Sequence, residues 1–372
     1  MIQGEMARSK TSSLFYLNLA IGAFCLYFTF SADAGQRFEF YRGIRQMGMG
    51  GASIAVVNDE TALLANPAGL GKLRDYIITV ADPEVDMGSK TSGIIGFKAT
   101  DVLKPQETLN LINKGHQNKP LYLRLQAFPS LVVPNFGVGV FKKYEVSATV
   151  NTAANTYRYD YINDTAVGLG YNFPFWSGRI KLGFSGRLIN RAEAHEAALD
   201  PSATDLTLES MVKEGLGIAA DVGVILSAPW AWLPTLAAVY RDVGDTRYSL
   251  SNGLFFNAAE KPDSTVGTLD VAVAVFPIVG KYSRATFTVE SRDVLTANDK
   301  TNGARKYHVG AEINFFDQLF FRGGYNQSYW TYGLELSAGN YQVQAASYGE
   351  EVGTAGKPTE ERRYQVKFSY RF

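Results

Sequence analysis

Apolar and polar residues alternate along most of the chain after Asn135. In the final segment, Tyr364–Phe372, every second residue is aromatic or aliphatic, and the residues between them are polar or charged. The same period of two runs through Ile180–Arg191, Lys306–Phe315 and Trp330–Ser337. This is the period of a β-strand. The pattern indicates about 15 candidate strands in series.

The first strands are the least regular. Tyr76–Ala81 and Gly93–Ala99 are predicted as short strands. Pro129 and Pro134 lie close to the candidate strand Leu121–Phe128, and prolines in a sheet mark edges, bulges or kinks. We therefore expect that either Tyr76–Ala81 or Leu121–Phe128 is not a separate strand.

The composition of the two strand faces separates a membrane barrel from a β-sandwich. A sandwich also alternates, but its polar face meets water and its apolar face forms the core. Here one face is rich in Tyr, Phe and Trp, and the other carries Arg, Lys, Glu and Asp of both signs. That distribution is typical of a lipid-facing outer surface around a wet, charged interior. The predicted fold class is all-β, a transmembrane antiparallel β-barrel. Since bacterial barrels contain an even number of strands, the 15 candidates lead us to predict about 14 strands.

One uncharged segment, Val222–Tyr240, is long enough to cross a bilayer as a helix. Pro229 and Pro234 interrupt it, so we predict two strands joined by a tight turn. Trp230 and Trp232 would lie in that turn at the membrane surface, where aromatic girdles are found.

Connection lengths support the same architecture, because long and short connections alternate from the C-terminal end. Outer-membrane barrels have long external loops and short periplasmic turns. With the C-terminus in the periplasm, all the predicted short turns fall there, and Asn326–Ser328 is the short exception outside. The predicted long connections are Ala192–Gly215, Val243–Thr265, Val294–Gly303 and Gly349–Glu361.

The N-terminal residues 1–34 are predicted to be a secretory signal peptide. Arg8 and Lys10 precede an apolar run, and Ala32-Asp33-Ala34 forms an A-x-A cleavage site. An uncleaved membrane anchor is the alternative. Cys25 is the single cysteine and would leave with this peptide, so no disulfide framework is expected. The charges balance at 36 basic and 36 acidic residues, which gives no indication of a nucleic-acid partner.

The segment Tyr41–Leu73 is rich in Gly and Ala, too irregular for a single helix and too apolar for a free linker. A barrel of this width leaves an open lumen unless something fills it. We predict that residues 35–75 form a plug, or hatch, inside a barrel formed by residues 76–372. Asp101–Gly115 has a helical pattern beginning near Pro105, and either a surface helix or a gating element would fit it.

We predict that the charged residues on the polar face of the strands have a structural role. His116, His195 and His308 are far apart and have no zinc-ligand spacing, so neither a metal nor a cofactor is expected. A barrel hydrolase is an alternative, but no nucleophile–base–orienter set emerges, and no catalytic residue is proposed. Opposite charges in the lumen would pair across strands, and mixed signs argue against a charge-selective pore. The candidate lumen charge network is Arg187, Arg284, Glu290, His308, Glu312, Arg322, Glu335 and Lys367.

Residues 43–73, which contain Gly50–Ala52, the acidic Asn58-Asp59-Glu60 and Asn66-Pro67-Ala68-Gly69, resemble the N-terminal hatch of FadL-like outer-membrane transporters of hydrophobic compounds. They are also similar to the related shuttle barrels of type IX secretion. The resemblance implies 14 strands, a ligand bound in the lumen, a hatch that shifts and exit sideways through the wall. It makes Asn66, Pro67, Ala68 and Gly69 the hatch motif. The terminal strand, with Tyr370 and Phe372, resembles the signal read by the barrel-assembly machinery.

The sequence as a whole predicts a monomeric outer-membrane barrel, in contact with membrane lipid, for passive transport of hydrophobic or amphipathic small molecules such as long-chain fatty acids. The alternatives are a non-transporting adaptor or secretion-shuttle barrel that binds protein through its external loops, and a barrel whose plug never moves. An apolar pocket above Asn66 would favour transport, and dense charge packing there would favour the alternatives.

Overall fold

The computed structural model describes residues 39–95, 101–295, 306–353 and 359–372. The predicted signal peptide, residues 1–34, lies outside the described residues. Within them, 17 strands form one sheet, and neighbouring strands run antiparallel. The sheet closes on itself because β1 pairs with β17, with Thr79 opposite Arg371.

The strand bounds follow the alternating segments of the sequence. The strands are β1 (Ile77–Ala81), β2 (Glu84–Gly88), β3 (Leu121–Ala127), β4 (Ser130–Val133), β5 (Phe136–Asn151), β6 (Thr156–Phe175), β7 (Ile180–Leu199), β8 (Lys213–Ser227), β9 (Thr235–Arg241), β10 (Thr268–Val275), β11 (Ile278–Gly280), β12 (Ser283–Ser291), β13 (Tyr307–Phe315), β14 (Leu319–Asn326), β15 (Tyr329–Ala338), β16 (Tyr341–Glu351) and β17 (Glu360–Arg371).

Three of the membrane-crossing strands are each interrupted once, which reduces 17 pieces to a barrel of 14 strands. β1 and β2 are separated at Asp82-Pro83, β3 and β4 at Phe128-Pro129, and β10 and β11 at Phe276-Pro277. Proline has no N–H to donate to the ladder, so a break at each of these sites follows from the sequence. The predicted count of 14 is confirmed.

Two expectations for the first strands are wrong. Both Tyr76–Ala81 and Leu121–Phe128 contribute strands to the barrel, as β1 and β3. Of the candidate strand Gly93–Ala99, residues 93–95 belong instead to the helix Thr91–Ile95, and residues 96–99 lie outside the described residues. A short apolar run has too few positions to separate a strand from a helix by period alone.

The faces of the wall are the reverse of those of a soluble protein. In β17, Arg363, Gln365 and Lys367 are at most 3% exposed, whereas the intervening Tyr364 and Val366 are each 53% exposed. The polar residues therefore point into the barrel and the apolar residues point outward, as the predicted lipid-facing wall requires.

The helices are short. They are α1 (Ile44–Gly48), α2 (Ala62–Ala65), α3 (Thr91–Ile95) and α4 (Pro105–Asn113), with 3-10 turns at Pro67–Lys72 and Asp101–Leu103. The predicted helix after Pro105 is confirmed, with Pro at its first turn and Gly115 at φ +101° just beyond it. Leu109 and Ile112 are fully buried on its inner face. Among the described residues, no helix is both long and apolar enough to cross a bilayer.

The connections alternate in length largely as predicted, but the β5–β6 turn, residues 152–155, is a second short connection at the end that carries the long loops. Val222–Tyr240 forms β8 and β9 joined by a turn, and Trp230 and Trp232 are 73% and 58% exposed at that turn. Trp176 lies at the neighbouring short turn and is 70% exposed. These turns and the C-terminus share one end of the barrel, the short-turn end. The loops joining β7 to β8 and β9 to β10 lie at the opposite, long-loop end.

Residues 39–75 occupy the lumen. α1 contacts β14, β15, β16 and β17, whereas the 3-10 turn Pro67–Lys72 contacts β6, β7 and β8 on the other side of the barrel. A segment that touches the inward faces of strands on both sides of a closed wall lies inside it. We call residues 39–75 the plug.

Candidate functional site: the plugged lumen

The plug lies directly on the wall at two rows of inward-facing glycines. The first row, on β5 to β8, is Gly137, Gly170, Gly183 and Gly223, in which Gly137 is opposite Gly170 and Gly183 is opposite Gly223. A Cβ added at Gly183 would collide with the backbone at Pro67-Ala68, and one at Gly223 with the Asn66 side chain. Only glycine leaves room for the plug backbone at these points.

The second row receives the other side of the plug. Gly310 and Gly324 are opposite each other on β13 and β14, and Gly333 follows on β15. A Cβ at Gly310 would collide with the carbonyl oxygen of Met49, and one at Gly324 with the amide nitrogen of Gly50.

The predicted hatch motif is an internal joint of the plug. The Asn66 side chain is fully buried; its Nδ2 donates to the Ile54 carbonyl at 2.9 Å, and its Oδ1 accepts from the Ala68 N–H at 3.1 Å. Pro67 opens the 3-10 turn, where its missing N–H costs nothing. Gly69 packs against Val57, where a Cβ would come within 2.7 Å of Cγ1. Through these two hydrogen bonds, the Asn66 side chain connects Ile54, in the earlier part of the plug, to the 3-10 turn that begins at Pro67.

Three of the predicted lumen charges form one cluster with the plug. Glu312 accepts from Arg45 Nε at 3.0 Å and Nη2 at 2.9 Å, and from Arg322 Nε at 2.6 Å. Arg322 also pairs with Glu335. Since Arg45 belongs to α1, this cluster connects the plug to β13, β14 and β15.

Glu290 and His308 bind the plug backbone itself. Glu290 Oε2 accepts from the N–H groups of Ser53 and Ile54 at 2.7 and 3.0 Å. His308 Nδ1 lies 2.8 Å from the carbonyl oxygen of Gly50. Both side chains are at most 2% exposed. A buried carboxylate that accepts two backbone N–H groups stabilises the plug in this register.

The remaining predicted charges lie apart from that cluster. Lys367 is 3.2 Å from Asp82 and 3.6 Å from Glu60. Arg187, on β7, pairs with Asp221 and Asp242 on the far side of the lumen. Arg284 is exposed and lines the mouth at the short-turn end.

Two cavities flank the plug. One of about 880 Å³ lies between the plug and the short-turn end, lined by Arg45, Lys72, Lys181 and Phe372 among others. The other, of about 100 Å³, lies on the long-loop side of the plug and has a mixed lining. Its apolar wall is Phe40, Tyr41, Leu64, Ile189 and Tyr248, and its charged wall is Arg187, Arg191, Arg241, Asp242 and Asp270. On the long-loop side of the plug, the lumen thus has both an apolar surface and paired charges.

Two of the strand breaks lie side by side in the wall. The break at Asp82-Pro83 faces the break at Phe128-Pro129, and one hydrogen bond, from the Phe128 N–H to Asp82 Oδ1 at 2.5 Å, crosses between them. The Phe128 ring turns inward and covers Gly139. It joins an apolar cluster with Phe141 and Leu70 of the plug.

Comparisons with known proteins agree with this architecture. No family model and no curated protein matches the chain. The solved structure of the CymD monoaromatic hydrocarbon channel is similar at 11% identity and TM-score 0.53, over 88% of this chain and 96% of that one. The toluene transporter TodX of Pseudomonas putida is similar at 11% identity and TM-score 0.51, over 92% and 98%. The chain has the fold of these hydrocarbon channels.

A Pseudomonas aeruginosa FadL homologue is also similar, at 9% identity and TM-score 0.47, over 92% of this chain and 98% of that one. In the barrel of this protein, the predicted assembly-signal residues lie at the seam that closes the wall. The backbone N–H and carbonyl of Phe372 pair with Ile78 at 2.9–3.0 Å, and the Tyr370 and Phe372 rings contact each other at 5.0 Å between centroids.

Several residues that hold the plug were missed from the sequence. Arg42 pairs with Glu350 through two contacts of 2.9–3.1 Å, and Thr331 bonds both Gly48 and Gly50. The glycine rows were missed as well, although a signal exists. Gly137 and Gly170 stand at the polar positions of alternating segments, where a glycine marks a close approach. Here the side chains of Leu63 and Leu70 from the plug make that approach.

Proposed function

We propose that this protein carries hydrophobic or amphipathic small molecules passively across the bacterial outer membrane, without catalysis. The observation that carries the proposal is the apolar attachment of one part of the plug. Leu63, Leu64 and Leu70 pack against Phe141 and Ile189 of the wall beside the smaller cavity. A hydrophobic ligand can replace such contacts at little net cost, because apolar burial is non-directional.

The similar structures support the same class of compound. CymD is described as a monoaromatic hydrocarbon channel and TodX as a toluene transporter. Their fold, together with the apolar outer face of the wall, supports placement in the outer membrane. A monomeric state surrounded by lipid and the removal of residues 1–34 are further parts of the proposal. Recognition of the terminal strand by the barrel-assembly machinery belongs to the same proposal. Transport of long-chain fatty acids is a more specific form of the transport proposal.

The route follows from the geometry. A ligand would approach from the long-loop end, occupy the space lined by Phe40, Leu64 and Tyr248, and displace the plug around Asn66-Pro67-Ala68. Phe128 borders that apolar cluster and also lies at the paired breaks in the wall. Exit through these breaks would deliver the ligand sideways into the membrane.

Deletion of Asn66–Ala68 tests the proposal. We expect the variant to assemble, shown by the heat-dependent gel migration of a folded barrel, and to change the rate at which cells take up the hydrophobic fluorophore N-phenylnaphthylamine. Uptake equal to that of the intact chain would rule out the hatch mechanism and favour a protein-binding adaptor. Mass spectrometry of lipids that co-purify with the barrel in mild detergent would then identify the ligand class.

A further inference from the structure

β8 is much longer than its neighbour β9, and a loop covers the difference. β9 pairs only with Val222–Ser227, so the long-loop half of β8 has no neighbouring strand on that side. The β9–β10 loop folds back along this edge: Val243 N–H donates to the Ala220 carbonyl at 2.8 Å, and Leu250 N–H to the Leu216 carbonyl at 2.9 Å. We call residues 243–265 the strap.

The strap inserts one side chain into the lumen. Tyr248 is 3% exposed and lines the smaller cavity on its long-loop side. Its hydroxyl lies 2.9 Å from Thr265 Oγ1, and the Arg191 guanidinium stacks over its ring at 5.1 Å. The strap backbone around Tyr248 lies against Gly215 and Gly217, where a Cβ would collide with it. Tyr248 therefore forms the roof of the cavity.

Beyond Tyr248, the tip of the strap is held by one buried carboxylate, while the Asp263 N–H donates to Glu193 Oε1 at 3.0 Å and the Glu260 carbonyl accepts from the Glu214 N–H at 3.1 Å. Glu214 is fully buried and accepts four successive backbone N–H groups, those of residues 254–257, at 2.7–3.0 Å. Asn190 Nδ2 donates to the same carboxylate at 2.8 Å. Successive N–H groups that converge in this way form an anion-binding nest. Gly253, at φ +96°, lets the strap turn around the carboxylate, where a Cβ would meet it.

The contacts of the strap tip differ from those of a packed core. Leu254 and Phe255, the first two residues of the nest, are 66% and 55% exposed. Phe255 touches the wall through Lys142, whose Nζ lies 4.6 Å from the ring centroid. The tip thus buries little apolar surface, and the Glu214 nest is its main attachment.

We propose that the strap is a second gate, which closes the cavity from the long-loop side and is latched by Glu214. Glu214 is a positioning residue: it holds the strap, and the strap holds Tyr248 over the cavity. The proposal rests on the proposed transport function, because the gate would control access to that same cavity. The cavity would then be closed on both sides, by Tyr248 on the long-loop side and by the plug on the opposite side.

The test measures access to the cavity directly. Ile189, which lines the cavity and is 1% exposed, is replaced by Cys in a chain that carries Cys25→Ser, and its rate of labelling by a water-soluble maleimide is measured on the folded barrel. Glu214→Gln replaces one acceptor oxygen by an NH₂ group that faces N–H donors. We expect labelling to accelerate about tenfold, the effect of losing a charge-assisted hydrogen bond. Glu260→Gln, on the same strap but 75% exposed in its side chain, is the matched control and should leave the rate unchanged.

Tyr248→Ala provides a second route if Glu214→Gln fails to give a heat-modifiable barrel. It removes the roof and leaves the nest, so labelling of the Cys at position 189 should again accelerate. Unchanged labelling in a folded variant of either kind would overturn the gate.

Uptake of N-phenylnaphthylamine by cells separates the two proposals. Faster labelling together with faster uptake supports both. Faster labelling with no uptake above that of cells lacking the barrel supports the gate and rejects transport of hydrophobic compounds. Unchanged labelling with uptake by the unmodified chain rejects the gate and leaves the transport proposal standing.

Discussion

The two halves of the plug are attached to the wall by different forces. The polar half, residues 42–54, is held by charged side chains in addition to the apolar packing of Met49 and Ile54: Glu290 binds its backbone, Glu312 binds Arg45, and Glu350 binds Arg42. The apolar half, residues 62–73, packs its leucines against the aromatic and aliphatic cluster of β4 to β8. Its hydrogen bonds to the wall include two accepted by plug carbonyl groups. The Leu64 carbonyl accepts from Arg241 Nη1, and the Leu70 carbonyl accepts from the Asn135 N–H, both at 3.1 Å.

This difference indicates which half can move. Detaching the polar half would leave buried charges without partners, and each lost charge-assisted hydrogen bond costs about 1.5–3 kcal/mol. The contacts of the apolar half would be replaced in kind by the hydrophobic ligand that we propose. We therefore infer that the polar half is the anchor and that the apolar half moves, with Asn66 as the joint between them.

The largest expected effect comes from a side chain that displaces the apolar half. Gly183→Val would drive a side chain into the backbone at Pro67-Ala68. We expect the protection of residues 62–73 against amide hydrogen exchange to fall by about 3 kcal/mol, a typical cost of overpacking, while residues 42–54 stay protected. Gly186→Val is the matched control, since a Cβ at Gly186 has no atom within 4 Å among the described residues. Equal loosening of both halves would contradict the division.

A medium effect is expected from the anchor. Glu290→Gln keeps the shape of the side chain but removes its charge, and we expect the amides of Ser53 and Ile54 to lose about 2 kcal/mol of exchange protection. Residues 62–73 should be unaffected. Glu209→Gln, at an exposed position in the β7–β8 loop, controls for the change in net charge. If the leucines of the apolar half loosen first in Glu290→Gln, the assignment of anchor and mobile half is reversed.

The smallest effect tests a single hydroxyl. Thr331 Oγ1 accepts from the Gly50 N–H at 2.9 Å and donates to the Gly48 carbonyl at 3.1 Å. Thr331→Val has nearly the same shape and should lower the protection of Gly50 by about 1 kcal/mol. Thr331→Ser keeps the hydroxyl and should behave like the unmodified chain. An effect of Thr331→Ser as large as that of Thr331→Val would show that the methyl group, and not the hydrogen bonds, holds the anchor.

The strands of the wall could be predicted from the sequence better than the contacts inside the lumen. A period of two needs only local information, so strands such as β17 and β13 could be recognised, and the same parity places Glu312 and Lys367 in the lumen. The partner of each charge could not be predicted, because Arg45 and Glu312 are 267 positions apart and meet only when the barrel closes. The Glu214 nest could not be predicted for the same reason, because it depends on how a long loop folds over the unpaired edge of β8.

The seam and the plug together constrain how the barrel is assembled. The last strand closes the wall through the pairing of Phe372 with Ile78, and the plug precedes that seam in the chain while contacting β6 to β8 and β13 to β17. Arg42 and Glu350 are 308 positions apart, and contacts of such long range form late and slowly. A wall that sealed first would have to admit the plug through one of its ends. Insertion into the membrane and filling of the lumen are therefore expected to be one concerted step, in which the plug serves as the template around which the cylinder closes.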